Sequence, residues 1–169
     1  MIIIEGIDGA GKSTVCAELA IMGYTIHHLQ YNEKNEEGSL NLLRKCNEFF
    51  VLDRSFITEM VYGPILRKKS RISDIQAENI IKQYSLNDCK VIYLKALKND
   101  LLIRRKSSLE DYDMIANYYE RIVESYEEVL DYVSKQIPTY VIDSSENDAE
   151  MVMKKVKRII GGFNDKRKI

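Results

Sequence analysis

Gly6-Ile7-Asp8-Gly9-Ala10-Gly11-Lys12-Ser13 is a complete Gly-x-x-x-x-Gly-Lys-Ser segment. It lies between a short apolar run, Met1 to Ile4, and a stretch in which Val15, Leu19 and Met22 keep helical spacing. Strand, glycine loop and helix is the context a phosphate loop requires. Polyphosphate oxygens need several donors at once; a loop built around glycines turns its N–H groups inward, and the helix N-terminus adds positive potential. Gly9, Ala10, Gly11, Lys12, Ser13 and Thr14 are therefore the expected ATP-binding residues. Lys12 would reach the β- and γ-phosphates, the Ser13 hydroxyl would ligate Mg2+, and Thr14 would donate to the α-phosphate. The competing reading is a glycine turn with an ordinary surface lysine.

A second chemical position lies further on. Phe49-Phe50-Val51-Leu52 is an apolar run that ends in Asp53, followed at once by Arg54. A carboxylate closing a buried strand emerges at the sheet edge that also carries the phosphate loop, where it can hold a water of a magnesium shell. A guanidinium beside it offers paired donors to a transferring phosphate and stays charged. The alternative is a helix-capping Asp53 with Arg54 as its surface partner.

These residues need a scaffold to position them. Tyr24 to Leu29, Lys90 to Leu94 and Thr139 to Ile142 read as further strands, giving five short runs that alternate with helical segments. Ser73 with Gln76, and Ser145 with Asp148, give capping patterns. Ile115, Tyr118, Ile122, Val129 and Val133 keep helical spacing and predict one long amphipathic helix over 111–136. Tyr62-Gly63-Pro64 is expected to interrupt the helix after Asp53. The pattern implies an α/β fold: a five-stranded, mostly parallel sheet with helices on both faces, in a single domain over 1–162 with a tail over 163–169. Ligands of such sheets bind beyond the carboxyl ends of the strands.

Composition bounds the partners. The 169 residues are 45% apolar and 30% charged, which excludes a disordered or fibrous chain. Lys+Arg 25 against Asp+Glu 26 leaves a formal charge of −1, so bulk charge does not attract nucleic acid and an anion must be held by a placed site. Cys16, Cys46 and Cys89 are widely spaced and odd in number, without zinc spacing. A reducing, cytoplasmic location is the expectation. The apolar run at Met1 to Ile4 is too short for a signal peptide or a spanning helix, so no membrane partner is expected.

Glu5-Gly6-Ile7-Asp8-Gly9-Ala10-Gly11-Lys12-Ser13-Thr14 closely resembles the phosphate loop of thymidylate kinases, and Asp53-Arg54-Ser55 resembles the Asp-Arg-x motif they share with deoxynucleoside kinases. Thr58 and Tyr62 fall where thymidylate kinases place a serine and a tyrosine, and Ile142-Asp143-Ser144-Ser145 resembles their adenine-side loop. The resemblance implies a P-loop NTPase fold and transfer of the ATP γ-phosphate, with Mg2+, to a small-molecule nucleotide or nucleoside acceptor. A deoxynucleoside monophosphate such as dTMP is its first candidate. It further implies that Asp8 faces the acceptor, that Arg104 and Arg105 are catalytic arginines of a lid near 97–110 that swing over the transferring phosphate, and that the chain forms a homodimer.

One departure bears on the acceptor. Asp53 follows Lys12 by 41 positions, and the Arg-Glu-Pro-Gly-Gly-Thr segment that typical thymidylate kinases carry in between is absent. Glu33 follows the second strand, where nucleoside kinases keep a glutamate base; a solvated loop acid is the other reading. Arg67, Lys68, Lys69 and Arg71 form a basic cluster that could take an acceptor phosphate or a polynucleotide 5′ end, or could be an exposed loop. Tyr62 is a candidate to stack on a base, whereas His27 and His28, without metal spacing, read as structural. A nucleotide-binding ATPase that phosphorylates no acceptor is the reading from outside the kinases.

Overall fold

The computed structural model describes residues 1–45, 47–106 and 108–161. Cys46, Gly162 and the expected tail over 163–169 lie outside the described residues, as does Ser107 within the expected lid. Five strands, β1 (Ile2–Gly6), β2 (Thr25–His28), β3 (Phe50–Asp53), β4 (Lys90–Lys95) and β5 (Thr139–Asp143), pair in parallel in the order β2-β3-β1-β4-β5. Around them pack α1 (Lys12–Ile21), α2 (Glu36–Lys45), α3 (Phe56–Arg67), α4 (Asp74–Leu86), α5 (Lys98–Arg104), α6 (Leu109–Ser134) and α7 (Ala149–Gly161). The three central strands are continuous apolar runs because both their faces are covered, and Ile3, Ile4, Val51, Leu52, Val91 and Ile92 are fully buried. Each such side chain contributes roughly 1.5–3 kcal/mol by leaving water. At the sheet edge, β5 leaves Tyr140 and Val141 exposed.

The strand order decides where a ligand can sit. From β1 the chain crosses to β2 and β3 on one side, then returns past β1 to β4 and β5 on the other. The crevice of a parallel sheet opens where this direction reverses, at the carboxyl ends of β1 and β3. Those strands are neighbours, with Ile4 in register with Asp53 and the Arg54 N–H donating to the Ile4 carbonyl at 3.0 Å.

Helix α6 forms as its spacing predicts, burying Ile115, Ile122, Tyr126 and Val133 as one stripe and packing on α3. Ser73 and Gln76 complete a capping box for α4. Two expectations need correction. Helix α3 runs through Tyr62-Gly63-Pro64 without interruption. Burial of Phe56, Ile57, Val61 and Tyr62 in its first two turns offsets the proline's cost of about 3 kcal/mol. And Asp148, not Ser145, caps α7: Asp148 Oδ1 accepts from the Met151 N–H at 2.8 Å, while Ser145 Oγ accepts from the Leu97 N–H at 2.7 Å. The turn that leaves β5 is made by Asp143, whose Oδ1 accepts from the Ser145 N–H. No described helix is long and apolar enough to cross a membrane.

Candidate active site

The phosphate loop turns at the end of β1, where Gly11 takes φ 97°, the left-handed conformation that a side chain disfavours, and opens α1. Gly9, Ala10, Gly11, Lys12, Ser13 and Thr14 line a cavity of about 530 Å³, together with Asp53, Arg54, Arg104 and Arg105. Ser144, Asn147 and Val152 close its far side from the β5–α7 connection. Lys12 is 6% exposed and folds back on its own loop, donating to the Gly6 carbonyl at 2.8 Å and the Ile7 carbonyl at 3.0 Å. Burial, and then the Arg54 guanidinium, press its ammonium down to about 8. Asp8 Oδ1 stands 3.7 Å from its ammonium, and phosphate oxygens entering the loop would add negative charge beside it.

Asp53 is 7% exposed. Its Oδ2 meets His28 Nδ1 at 2.7 Å, and its Oδ1 is buried without a partner among the described residues. His28 is thus more than a structural strand residue: it orients the carboxylate at the cavity wall. Arg54 takes φ 70°, pairs with Asp8 and lies over the Tyr62 ring at 5.6 Å. Burial pushes the Asp8 carboxyl up, but Arg54 and Lys12 outweigh it and hold it below its ordinary value. This left-handed Arg54 is fastened by a residue sequence reading passed over. Glu5 is wholly buried, and its carboxylate accepts from the Ser55 N–H, the Ser55 hydroxyl and the Thr58 hydroxyl, each at 2.8 Å, and from the Tyr126 hydroxyl at 3.2 Å. It ties β1, α3 and α6 together behind the loop. Burial raises its carboxyl above the usual range, against the hydrogen bonds from Thr58 and Ser55.

Arg104 donates to the Gly9 carbonyl at 3.1 Å and the Ser144 carbonyl at 2.8 Å, so it bridges the phosphate loop to the β5–α7 turn. Arg105 packs against Gly9, where an added Cβ would lie 3.1 Å from its Cγ.

A second cavity, of about 520 Å³, lies on the other side of Asp8 and Arg54. Tyr62 and Arg67 line it, joined by Lys34, Glu59, Leu66, Asp113, Met114, Asn117 and Tyr118. Three other expected acceptor-side groups are directed elsewhere. Glu33 lines neither cavity: its Oε2 accepts from the Gln30 N–H at 2.8 Å and meets His27 Nε2 at 2.8 Å, closing a 3-10 turn at Tyr31–Glu33. Arg71 lies outside the lining with its guanidinium 3.8 Å from the Tyr31 ring centroid, and Lys68 caps α3 at φ 59°.

No protein-family model matches this sequence, and no curated protein matches it. Solved structures do. The YorR protein of Bacillus subtilis, in complex with phosphorylated GDP, superposes with a TM-score of 0.79 over 95% of each chain at 23% identity. Deoxyadenosine kinase of M. mycoides, with products dCMP and a flexible dCDP, gives 0.65 over 96% of this chain and 98% of that one at 20% identity. Thymidylate kinase of Candida albicans gives 0.67 over 96% and 91% at 16% identity. The chain has the α/β P-loop NTPase fold.

In P-loop kinases a divalent cation bridges phosphate oxygens and neutralises charge as the phosphoryl group moves. The residues present fit such an ion: Asp53 Oδ1 is a buried acceptor without a partner, and the exposed Ser13 lines the same cavity. Among the described residues no three His, Cys, Asp or Glu side chains could hold a metal by themselves.

Proposed function

We propose that this chain is an ATP-dependent nucleotide kinase, a single domain over 1–162, that transfers the γ-phosphate to a deoxynucleoside monophosphate, with dTMP the first candidate. The observation that carries the reading is the shared wall: Asp8 and Arg54 line both cavities, so two ligands can meet across them. ATP enters the loop-lined cavity, with Lys12 on its β- and γ-phosphates and Thr14 on the α-phosphate; Ser13 and Asp53 hold Mg2+. The acceptor occupies the other cavity, with Tyr62 along its base or sugar. An acceptor phosphate oxygen attacks Pγ, the bond from Pγ to the β,γ-bridging oxygen breaks, and ADP leaves with that electron pair. Arg54 and the lid residue Arg105 stabilise the charge on the transferring group, while Arg104 keeps the lid seated on the loop.

Two points favour a monophosphate over a nucleoside. A phosphate with a second pKa of about 6 is already anionic at neutral pH and needs no base. A 5′-hydroxyl does need one, yet Glu33 is engaged with His27 and Gln30, and Asp8 and Glu59 each hold an arginine. A cytoplasmic location accords with Cys16 and Cys89, buried and outside any disulfide. The homodimer rests on the resemblance.

Incubation with γ-labelled ATP, Mg2+ and a panel of monophosphates, nucleosides and 5′-hydroxyl oligonucleotides tests the reading. Labelled diphosphates are expected. Label recovered only as inorganic phosphate would leave a nucleotide-hydrolysing protein and reject a kinase.

A further inference from the structure

Three cations line the acceptor cavity: Lys34, Arg54 and Arg67. Arg54 and Arg67 each give one terminal nitrogen, Nη2, to a carboxylate, Asp8 and Glu59 respectively. Lys34 makes no ion pair among the described residues, although Arg54, Glu59 and Arg67 are close enough to act on its charge. A guanidinium has five donors, so both arginines keep donors beyond the one already used.

The Glu59–Arg67 pair is a built device. Glu59 is 2% exposed, and its Oε1 also accepts the Arg71 N–H at 2.9 Å, fixing the chain just after α3. Between the partners lies Gly63. A Cβ there would stand 2.8 Å from Glu59 Oε1, 2.9 Å from Ser70 Cα and 3.2 Å from Arg67 Nη2. Only glycine lets the arginine lie back across the helix onto the carboxylate, with its side chain lining the cavity.

Resting on the nucleotide-kinase reading above, we propose that Lys34 and Arg67, with Arg54, grip the acceptor's own phosphate, and that Glu59 and Gly63 position Arg67 for it. These residues take the place of the Arg-Glu-Pro-Gly-Gly-Thr segment missing between Lys12 and Asp53. Lys34 is the lining cation that makes no ion pair among the described residues, with Asp113 of the same lining included, so it is the group an incoming dianion completes. A neutral nucleoside would leave Lys34 uncompensated. Burial, and then Arg54, hold the Lys34 ammonium below its ordinary value against the pull of Glu59, a crowding that an anion would relieve.

Calorimetric titration of the full chain with dTMP, dGMP, dAMP, dCMP and the matching nucleosides tests this. The wild type should bind at least one monophosphate about 30-fold or more tighter than its nucleoside. Lys34→Met, which strips no internal partner, should weaken that monophosphate about 10-fold, and Arg67→Met about 30-fold or more, with ATP affinity within about twofold. Glu59→Gln and Gly63→Ala should raise the acceptor KM while leaving the ATP KM unchanged, as expected of residues that act through Arg67. Equal affinity for nucleoside and monophosphate, or unchanged monophosphate affinity in Lys34→Met, overturns the proposal. Transfer to nucleosides alone would overturn it while leaving a kinase; transfer to no acceptor would remove the kinase reading and this grip together.

Discussion

The two halves of the cleft are assembled in different ways. The ATP half is built mainly from one unbroken segment, residues 6–14, whose main chain is aimed by glycines and by the start of α1. The acceptor half gathers side chains from distant places: Lys34 after a short 3-10 turn, Glu59 and Arg67 on α3, Asp113 and Asn117 on α6. Donors supplied by local backbone geometry are written in consecutive residues. Donors that converge only through helix packing have no such signature. Asp8 and Arg54 belong to both halves, which makes the wall between the cavities the most constrained part of the site.

The contrast would break first at Lys12. Lys12→Ala should lower phosphoryl transfer by about three orders of magnitude or more, as loss of a placed cation at the transferring group does. It should scarcely change the melting temperature, because the cost of burying this ammonium offsets its two loop hydrogen bonds. Loss of the folded state instead would mean that the lysine belongs to the core and not to the ligand.

Asp53→Asn sharpens the contrast at the metal. It should raise the Mg2+ concentration for half-maximal ATP binding about tenfold, the scale on which residues around a metal act. Monophosphate affinity, measured without ATP, should stay where it was. A variant that loses thermal stability but keeps its metal dependence would make Asp53 a structural acid of the β3–α3 turn.

The smallest effect expected is in pH. The Lys12 ammonium falls from 10.5 to about 8 on folding, so between those values the unfolded chain holds more protons on this group. Stability relative to Lys12→Ala should therefore rise as pH climbs from about 8 to 10.5, with the cost fully present below about 8. Triphosphate binding should restore the proton, and calorimetry at pH 9 in two buffers of different ionisation enthalpy should show proton uptake. A buffer-independent heat would place the ammonium away from the phosphates.

Sequence reading reached the donor half because each of its parts is contiguous: glycines, lysine and serine in one loop, and an acid at the end of an apolar strand. It reached the five strands and α6 because periodicity reports burial directly. Glu5 escaped it, since an acid inside a buried strand is hard to foresee without the Ser55, Thr58 and Tyr126 hydroxyls that satisfy it, the last of them 121 residues away. Glu33 was singled out from its place in chain order, yet its carboxylate closes a local turn instead. Arg67 and Arg71 looked alike as members of one basic cluster. Only Gly63 and Glu59 separate them, turning the first to the cavity while the second lies against Tyr31.

Order along the chain is enough to specify a loop that wraps phosphates, because hydrogen-bond donors from successive main-chain groups need only local torsion angles to converge. It also specifies the strand ends that present Asp53 and Arg54. Which side chains complete the acceptor's half was decided in three dimensions, by the crossing of α3 over α6 and by a glycine that lets an arginine fold onto a buried glutamate. Charges that lie tens of residues apart acquire a common ligand only when packing brings them within reach of one another.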